Sequence, residues 1–328
     1  MKNYQIASSI LAPSFISEFV KETFDIKETV KASILKTGIS HNYLISINEK
    51  KFVFRVYFKN WRTNFEIEEE LKLLNYLKEN GILVSVPISD KNENFIQEIE
   101  APEGNRFTVL FSYAEGEFVR NPNENDCFKL GETIGKMHQL VENKSLKRKT
   151  YTAENLIGWA YEKSKEMFSE ELSEMNYFKR ANEKITEEFR KAKQNDLKSG
   201  IVHLDLWYQN MKKNEHGDFT FFDFDNCGNG WLFLDLSYAL MLLFKNESNK
   251  TSFEDKREAF YNGYESVLKI TEEEKRLIPL GGLAIWLHYT GIHVERFDDF
   301  SNHFLSEEFL KFWIQIVHQW MEFNVIKI

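Results

Sequence analysis

The chain has 328 residues, of which 42% are hydrophobic, and its formal net charge is −9 with a sequence pI of about 5.6. This acidic balance argues against nucleic acid as a main partner, because binding to a phosphate backbone depends on clustered Lys and Arg. No run approaches the roughly eighteen apolar residues of a membrane span. The first residues resemble a signal peptide only weakly, and Cys127 and Cys227 do not have the spacing of metal ligands. We therefore predict a cytoplasmic protein with two reduced thiols and no membrane partner.

The N-terminal part of the chain is predicted to be rich in β-structure. A helix is predicted first, over residues 12–30. Runs at 43–47 and 52–57 are rich in β-branched and aromatic residues and are separated by a turn-like segment, which is typical of a hairpin. Helical periodicity then covers 63–80, and a second hairpin is predicted over 94–111.

The remainder of the chain is predicted to be mostly helical. Apolar residues at helical spacing predict a helix over 124–141, and a charge-dense segment predicts helix over 153–195. Amphipathic helical patterns return over 231–328. Residues 200–225 are the exception, since there a short strand, a loop and a second strand are predicted.

Together these elements predict an α+β fold with two lobes. In this prediction, residues 1–113 form a small antiparallel-sheet lobe and residues 114–328 form a larger, mostly helical lobe. Large aromatic side chains bury the most apolar area. We therefore expect Trp286, Trp313 and Trp320 in the core of the larger lobe.

A short segment that begins at His203 carries the most informative spacing. It reads H-L-D-L-W-Y-Q-N, so Asp205 precedes Asn210 by five residues, and F-F-D-F-D follows with Asp223. The spacing matches the H-R-D-x-x-x-x-N and D-F-G patterns of kinases, with the Arg and the last Gly replaced. Phosphoryl transfer needs a carboxylate that orients the attacking hydroxyl and oxygen ligands for Mg²⁺.

We therefore predict Asp205 as the catalytic base, and Asn210 and Asp223 as Mg²⁺ ligands. Taken singly, each could be an ordinary turn residue, since Asp and Asn favour loops. His203 is expected to brace the loop backbone rather than to act on a substrate. Asp235 lies inside an apolar run, so it must be hydrogen-bonded, and we expect it to hold the same loop.

In the first lobe, Arg55 lies in the middle of an apolar strand-like run. A buried cation there needs anions, which would be nucleotide phosphates and a helix carboxylate. Glu70 is the preferred carboxylate, with Glu66 and Glu69 as close rivals. The alternative is an arginine on an edge strand that points to solvent. The segment 37–42, which we expect to be a loop, would donate backbone N–H groups to phosphate.

These motifs resemble the kinase-like phosphotransferases that include aminoglycoside phosphotransferases, choline kinases and type II homoserine kinases. The resemblance is carried by residues 38–42, 52–56, 69–71, 131–138, 203–225, 228–230 and 235–236. Within this superfamily the chain is most similar to the bacterial stress response kinase A group. That likeness is carried by Arg55-Val56-Tyr57 with Trp61 and by Asp223-Phe224-Asp225-Asn226 before Gly228-Asn229-Gly230.

The resemblance implies a two-lobed protein-kinase-like fold with ATP and Mg²⁺ as cofactors. It implies Asp205 as base, Asn210 and Asp223 as metal ligands, Arg55 as the phosphate-pairing cation with Glu70 as its partner, Ser40 and Asn42 near the phosphates, and Ser112 and Tyr113 beside adenine. The chain departs from the family pattern in four ways. Leu204 stands where the family usually has Gly, Trp207 and Tyr208 occupy the loop centre, Arg55 replaces a Lys, and there is no G-x-G-x-x-G.

The leading hypothesis is an ATP- and Mg²⁺-dependent phosphotransferase that acts on a small-molecule hydroxyl of the aminoglycoside, amino alcohol or homoserine type. A Ser or Thr of a protein is the alternative acceptor, and the stress response kinase likeness favours it. A pseudokinase or scaffold is the alternative of another class, although the three retained site residues argue against it. Acidic residues at Asp298, Asp299, Glu307 and Glu308 would suit a cationic acceptor or simply form a solvated surface. The oligomeric state stays open.

Overall fold

An antiparallel sheet organises the N-terminal part of the protein. The computed structural model describes residues 6–296 and 305–328, and the chain divides into two compact units between Ala114 and Glu115. The elements of the first unit are α1 (Pro13–Thr23), β1 (Val30–Lys36), β2 (Ser40–Ile47), β3 (Lys50–Tyr57), α2 (Asn64–Glu79), β4 (Pro87–Ile88), β5 (Gln97–Ala101) and β6 (Gly104–Ser112). The strand order is β1-β2-β3-β6-β4, and β5 pairs with β6.

Strand β3 is central in this sheet, and its second half, Phe54–Tyr57, is buried on both faces. Phe54 and Val56 belong to an apolar cluster that also contains Ile16 and Val20 of α1. Successive side chains of a strand point to opposite faces, so Arg55 lies on the face away from this cluster. Arg55 is nevertheless only 7% exposed. The edge-strand alternative for this arginine is therefore wrong.

Two predictions about this unit need correction. The helix predicted over 12–30 ends at Thr23, and β1 follows it, where no strand was predicted. Most residues of β1 are exposed without clear alternation, so the sequence carries no period-of-two signal. The segment 37–42 is also not a loop throughout, because Ser40 and Asn42 already belong to β2.

The second unit is mostly helical. Its elements are α3 (Glu124–Val141), α4 (Trp159–Ser164), α5 (Ser173–Lys191), β7 (Ser199–Val202), β8 (Met211–Lys213), β9 (Phe219–Phe221), β10 (Gly228–Trp231), α6 (Phe233–Asn246), α7 (Lys250–Glu265), α8 (Glu272–Glu295) and α9 (Glu307–Phe323). The long helix predicted over 153–195 is instead a π-helical turn, α4, a connecting segment and α5. The mixture of an antiparallel sheet and a helical remainder is the predicted α+β class.

Helix α8 forms the centre of the second unit. Of the described helices it alone is long and apolar enough to cross a membrane by length and composition, yet 89% of its most apolar window is buried inside the protein. Trp286 of α8 stacks on Trp313 of α9 with ring centroids 3.9 Å apart. Each indole N–H donates to the other residue's carbonyl, at 3.1 and 3.2 Å. Trp286 and Trp320 are buried as predicted, whereas Trp313 is half-buried.

Helices α3 and α7 cross at two glycines. A Cβ atom on Gly131 would overlap the Phe260 carbonyl oxygen of α7, and one on Gly263 would overlap the Phe128 carbonyl oxygen of α3. In both cases the obstacle is backbone, which cannot rotate away. The missing side chains therefore permit the close approach of the two helices.

We expect Gly131→Ala to lower the free energy of unfolding by about 1–3 kcal/mol, because the helices must separate to admit the methyl group. The measurement is urea denaturation followed by circular dichroism. Gly158→Ala is the matched control, since its Cβ would meet its nearest atoms at 3.7 and 3.8 Å, an ordinary contact distance. Equal stabilities for the two variants would contradict this packing argument.

Candidate active site

The pairing of β8 with β9 brings two of the predicted site residues together. Asn210 immediately precedes β8, and Asp223 follows β9 after one intervening residue. Met211 pairs with Phe221 in the hairpin register, and the Phe222 N–H donates to the Asn210 carbonyl at 3.0 Å. The predicted metal ligands therefore lie at the same end of one hairpin.

The loop between β7 and β8 carries Asp205. The side-chain amide of Asn210 donates to the Asp205 carboxylate at 2.7 Å and to the Asp205 carbonyl at 3.1 Å. Because the Asn210 nitrogen is used in this way, the amide oxygen is the atom that Asn210 would offer to a cation. Among the described residues, no group of three or more His, Cys, Asp or Glu side chains forms a metal site. A donor set of one carboxylate and one amide suits Mg²⁺, which usually keeps several water or phosphate ligands.

The Asp235 side chain holds the backbone of this loop through hydrogen bonds. It lies near the start of α6 and is fully buried. Its carboxylate accepts hydrogen bonds from the N–H groups of His203 and Leu204, at 2.9 and 2.7 Å. It also accepts from His138 Nε2 of α3, at 3.1 Å, and His138 Nδ1 lies 2.9 Å from the Tyr264 hydroxyl of α7. The expectation that Asp235 holds the loop backbone is confirmed.

Leu204 adopts a backbone conformation that favours glycine. Its φ is +64°, in the left-handed region that costs a non-glycine residue roughly 1–2 kcal/mol. The Leu204 side chain is fully buried and its N–H is bonded to Asp235. Burial of the leucine and this charge-assisted bond offset the backbone strain.

His203 is hydrogen-bonded to backbone through both ring nitrogens. Nε2 lies 3.2 Å from the Phe222 carbonyl, and Nδ1 lies 3.2 Å from the Asp205 N–H. A carbonyl can only accept and an amide N–H can only donate, so the ring is neutral with its hydrogen on Nε2. Burial lowers the pKa of His203 below its usual value, and the nearby carboxylates of Asp235 and Asp223 oppose this only in part. The predicted bracing role is confirmed.

This neutral, buried imidazole should make stability depend on pH. Below about pH 6.5 an unfolded histidine takes up a proton that His203 in the folded protein resists. The free energy of unfolding should therefore fall as the pH drops below 6.5, by up to about 1.4 kcal/mol per pH unit from this group. Urea denaturation at about pH 7.5 and 5.5 measures the loss.

We expect the loss of stability to be smaller in His203→Gln, which has no group to titrate in this range. His216→Gln is the control, because the His216 side chain is 75% exposed. A variant at position 203 that lost as much stability as the wild type between the two pH values would refute the argument.

The first unit contains a buried cation, Arg55. Arg55 Nη1 lies 3.4 Å from Glu70 Oε1 of α2, and Arg55 Nε donates to Asn42 Oδ1 at 3.4 Å. The guanidinium also lies over the rings of Tyr57 and Phe111, at 5.6 and 5.1 Å from their centroids. Buried guanidinium groups are stabilised by such anionic and aromatic neighbours.

Glu70 is thus the helix carboxylate beside Arg55. The rivals serve other groups, since Glu66 forms the capping box of α2 with Thr63, and Glu69 pairs with Lys72 at 3.1 Å. Glu70 also accepts from the Tyr57 hydroxyl at 3.4 Å.

The other predicted nucleotide contacts lie on strands of the same sheet. Asn42 is opposite Arg55 in the β2–β3 register, and Ser40, two residues earlier, has a buried hydroxyl without a hydrogen-bond partner among the described residues. Ser112 forms two hydrogen bonds with Val86. The Ser112 N–H donates to the Val86 carbonyl at 2.8 Å, and the Val86 N–H donates to the Ser112 hydroxyl at 2.9 Å. Tyr113 lies beneath Lys51.

Sequence reasoning missed two tyrosines beside Asp205. Tyr289 of α8 is hydrogen-bonded to the Asp205 side chain, and burial followed by the Asp205 charge raises its pKa well above the usual value. Tyr238 of α6 stacks on Tyr289 with centroids 5.4 Å apart, and the Asp205 charge also raises its pKa, after burial. Both tyrosines lie in apolar helical runs without a motif, so no local signal marks them.

The acidic residues Glu307 and Glu308 are exposed, and Asp298 and Asp299 lie outside the described residues.

Comparison with known proteins shows the family to which the sequence is similar. A sequence model described as the phosphotransferase enzyme family, APH, matches residues 31–270. The homoserine kinase of Bradyrhizobium diazoefficiens is 23% identical over 285 residues, which cover 82% of this chain and 80% of that protein.

Two solved structures share the fold. A microcompartment-associated aminopropanol kinase superposes with a TM-score of 0.75 at 18% identity, covering 94% of this chain and 95% of that one. An amicoumacin kinase in complex with AMP-PNP, Ca²⁺ and Ami superposes with a TM-score of 0.71 at 17% identity, covering 94% and 97%. At these identities the likeness shows the fold alone, and the kinase-like fold predicted from the sequence is confirmed.

Proposed function

This chain belongs to the APH phosphotransferase enzyme family, and from that premise we propose that it transfers the γ-phosphate of ATP, with Mg²⁺, to a hydroxyl group of a small molecule. The observation that carries the proposal is the Asp205 carboxylate, held at 2.7 Å by Asn210 at the end of the hairpin that also presents Asp223. This is the donor set that phosphoryl transfer requires.

Asp205 would orient the acceptor. Its carboxylate would accept a hydrogen bond from the substrate hydroxyl and aim the oxygen lone pair at the γ-phosphorus. As the new P–O bond forms and the bond to the ADP oxygen breaks, the hydroxyl proton passes to Asp205. The Asn210 amide keeps the carboxylate in one orientation during this step, because it holds both the side chain and the backbone of Asp205.

Asn210 and Asp223 would hold Mg²⁺ through their side-chain oxygens. The ion, when bound, would neutralise charge on the phosphates. In this proposal, residues 1–113 form the nucleotide-binding lobe, in which Arg55 with Glu70 pairs with phosphate, Ser40 and Asn42 lie near the phosphates, and the connector at Ser112 and Tyr113 contacts adenine. Residues 114–328 form the catalytic and acceptor-binding lobe. A cytoplasmic location suits the two buried thiols, Cys127 and Cys227.

The small-molecule acceptor is supported by the relatives. Homoserine kinase, aminopropanol kinase and amicoumacin kinase are each named for a small-molecule compound. The proposal is therefore tested with a phosphate-transfer screen that contains homoserine, amino alcohols, aminoglycosides and amicoumacin-like compounds. A generic protein substrate is included as the competing arm, and incorporation of phosphate into protein alone would overturn the small-molecule assignment.

We predict that Asp205→Asn lowers kcat at least about a hundredfold, because the oriented base is lost, while Mg²⁺-ATP still raises the melting temperature. Asp223→Ala should lose the Mg²⁺-dependent part of that rise. Turnover by coupled assay and thermal shift with and without Mg²⁺ measure both effects.

Asp218→Asn is the matched control, since Asp218 is an exposed acid on the turn of the same hairpin. It should behave as the wild type in both assays. The enzyme assignment fails if the wild type and Asp205→Asn bind ATP yet transfer phosphate equally poorly, which is the behaviour of a pseudokinase.

A further inference from the structure

Tyr289 makes contacts that suit a role in the chemistry. Its side chain is only 8% exposed, and its hydroxyl is hydrogen-bonded to the Asp205 side chain. The same hydroxyl accepts a hydrogen bond from the Asn226 amide at 3.1 Å. Because Asn226 supplies the donor in that bond, the hydrogen of the Tyr289 hydroxyl is directed to the Asp205 carboxylate.

The Tyr289 ring is held in one orientation by its neighbour. Tyr238 stacks on it with ring planes 18° apart and centroids 5.4 Å apart. Burial keeps the pKa of Tyr289 well above its usual value, and the charge of Asp205 and the neighbouring Tyr238 and Tyr151 act in the same direction. The hydroxyl therefore remains a donor throughout the pH range in which enzymes work.

Asp205 is thus held by donors from two separate elements. Asn210 donates from the end of the loop, and Tyr289 donates from α8. One hydrogen bond leaves a carboxylate free to rotate about its Cβ–Cγ bond, whereas two bonds from different directions fix the plane of the group. An acceptor hydroxyl can then meet a lone pair whose direction is already set.

We propose that Tyr289 is a positioning residue for the transfer reaction, in which its hydroxyl fixes the plane of the Asp205 carboxylate and so sets the direction of the carboxylate oxygen that faces the acceptor hydroxyl. This inference rests on the proposed function of Asp205. It assigns part of the catalytic geometry to α8, which the motif at 203–225 does not include.

The test is Tyr289→Phe, which keeps the ring and its stacking but removes the donor. With an acceptor found in the screen, kcat should fall about ten- to a hundredfold, while KM for ATP and the melting temperature with Mg²⁺-ATP change little. In the Asp205→Asn background the same substitution should change kcat less than about twofold, because the group that Tyr289 positions is gone.

Tyr177→Phe is the control, since Tyr177 is also a buried tyrosine and its hydroxyl has no hydrogen-bond partner among the described residues. It should leave kcat unchanged. If Tyr289→Phe does not fold, Asn226→Ala replaces it. That variant removes the bond that orients the hydroxyl, so it should lower kcat in the same direction by a smaller factor.

The outcomes separate the two proposals. If wild-type turnover depends on Asp205 but Tyr289→Phe retains full kcat, or loses only affinity for substrate, the positioning role is wrong and the phosphotransferase stands. An equal loss of kcat in the presence and absence of the Asp205 carboxylate would also overturn the positioning role. If turnover does not depend on Asp205 at all, both proposals fail.

Discussion

The buried carboxylate of Asp235 is the interaction on which the rest of the site depends. A charge without solvent must find hydrogen-bond donors, and a shortfall costs several kcal/mol. Asp235 finds two of its donors in the backbone of the loop at His203 and Leu204, and another in His138. The cost of leaving this carboxylate unsatisfied is what holds the loop in its strained path.

Several features of the second unit follow from that constraint. The tight crossing of α3 and α7 places His138 and Tyr264 in contact, so the helix pair and the loop share one hydrogen-bonded chain. His203 must stay neutral, because its two ring nitrogens face a donor and an acceptor that are already fixed. Leu204 can adopt a positive φ because the hydrogen bond to Asp235 and a fully buried side chain offset the strain.

The first unit also contains a buried charged group, the Arg55 guanidinium. Arg55 is buried in a central strand, where solvent cannot stabilise it, and Glu70, Asn42 and two aromatic rings take the place of water. The guanidinium is planar and donates from several edges, so it can hold such a set of neighbours, and the proposed function adds phosphate to them. A lysine at this position would present a compact ammonium group, which could not contact the same set of neighbours.

The sequence by itself determined the features that depend on residues close together along the chain. The spacing of Asp205, Asn210 and Asp223 is covalent and short, so a strand, a loop and a hairpin suffice to bring the last two together. The α+β class and the hydrogen-bonded burial of Asp235 were readable from apolar patterns, because a charged residue inside such a pattern needs partners. The kinase-like fold was implied by the resemblance of the motifs to a known family.

The tertiary structure alone decided matters in which distant elements meet or local signals are weak. Strand β1 has no alternating pattern, and its place in the sheet comes from pairing with β2. The choice of Glu70 over Glu66 and Glu69 depends on which side of α2 faces Arg55. Tyr289 lies beside Asp205 because of how α8 packs in the second unit. That packing depends on many apolar contacts together, and no single sequence motif predicts it.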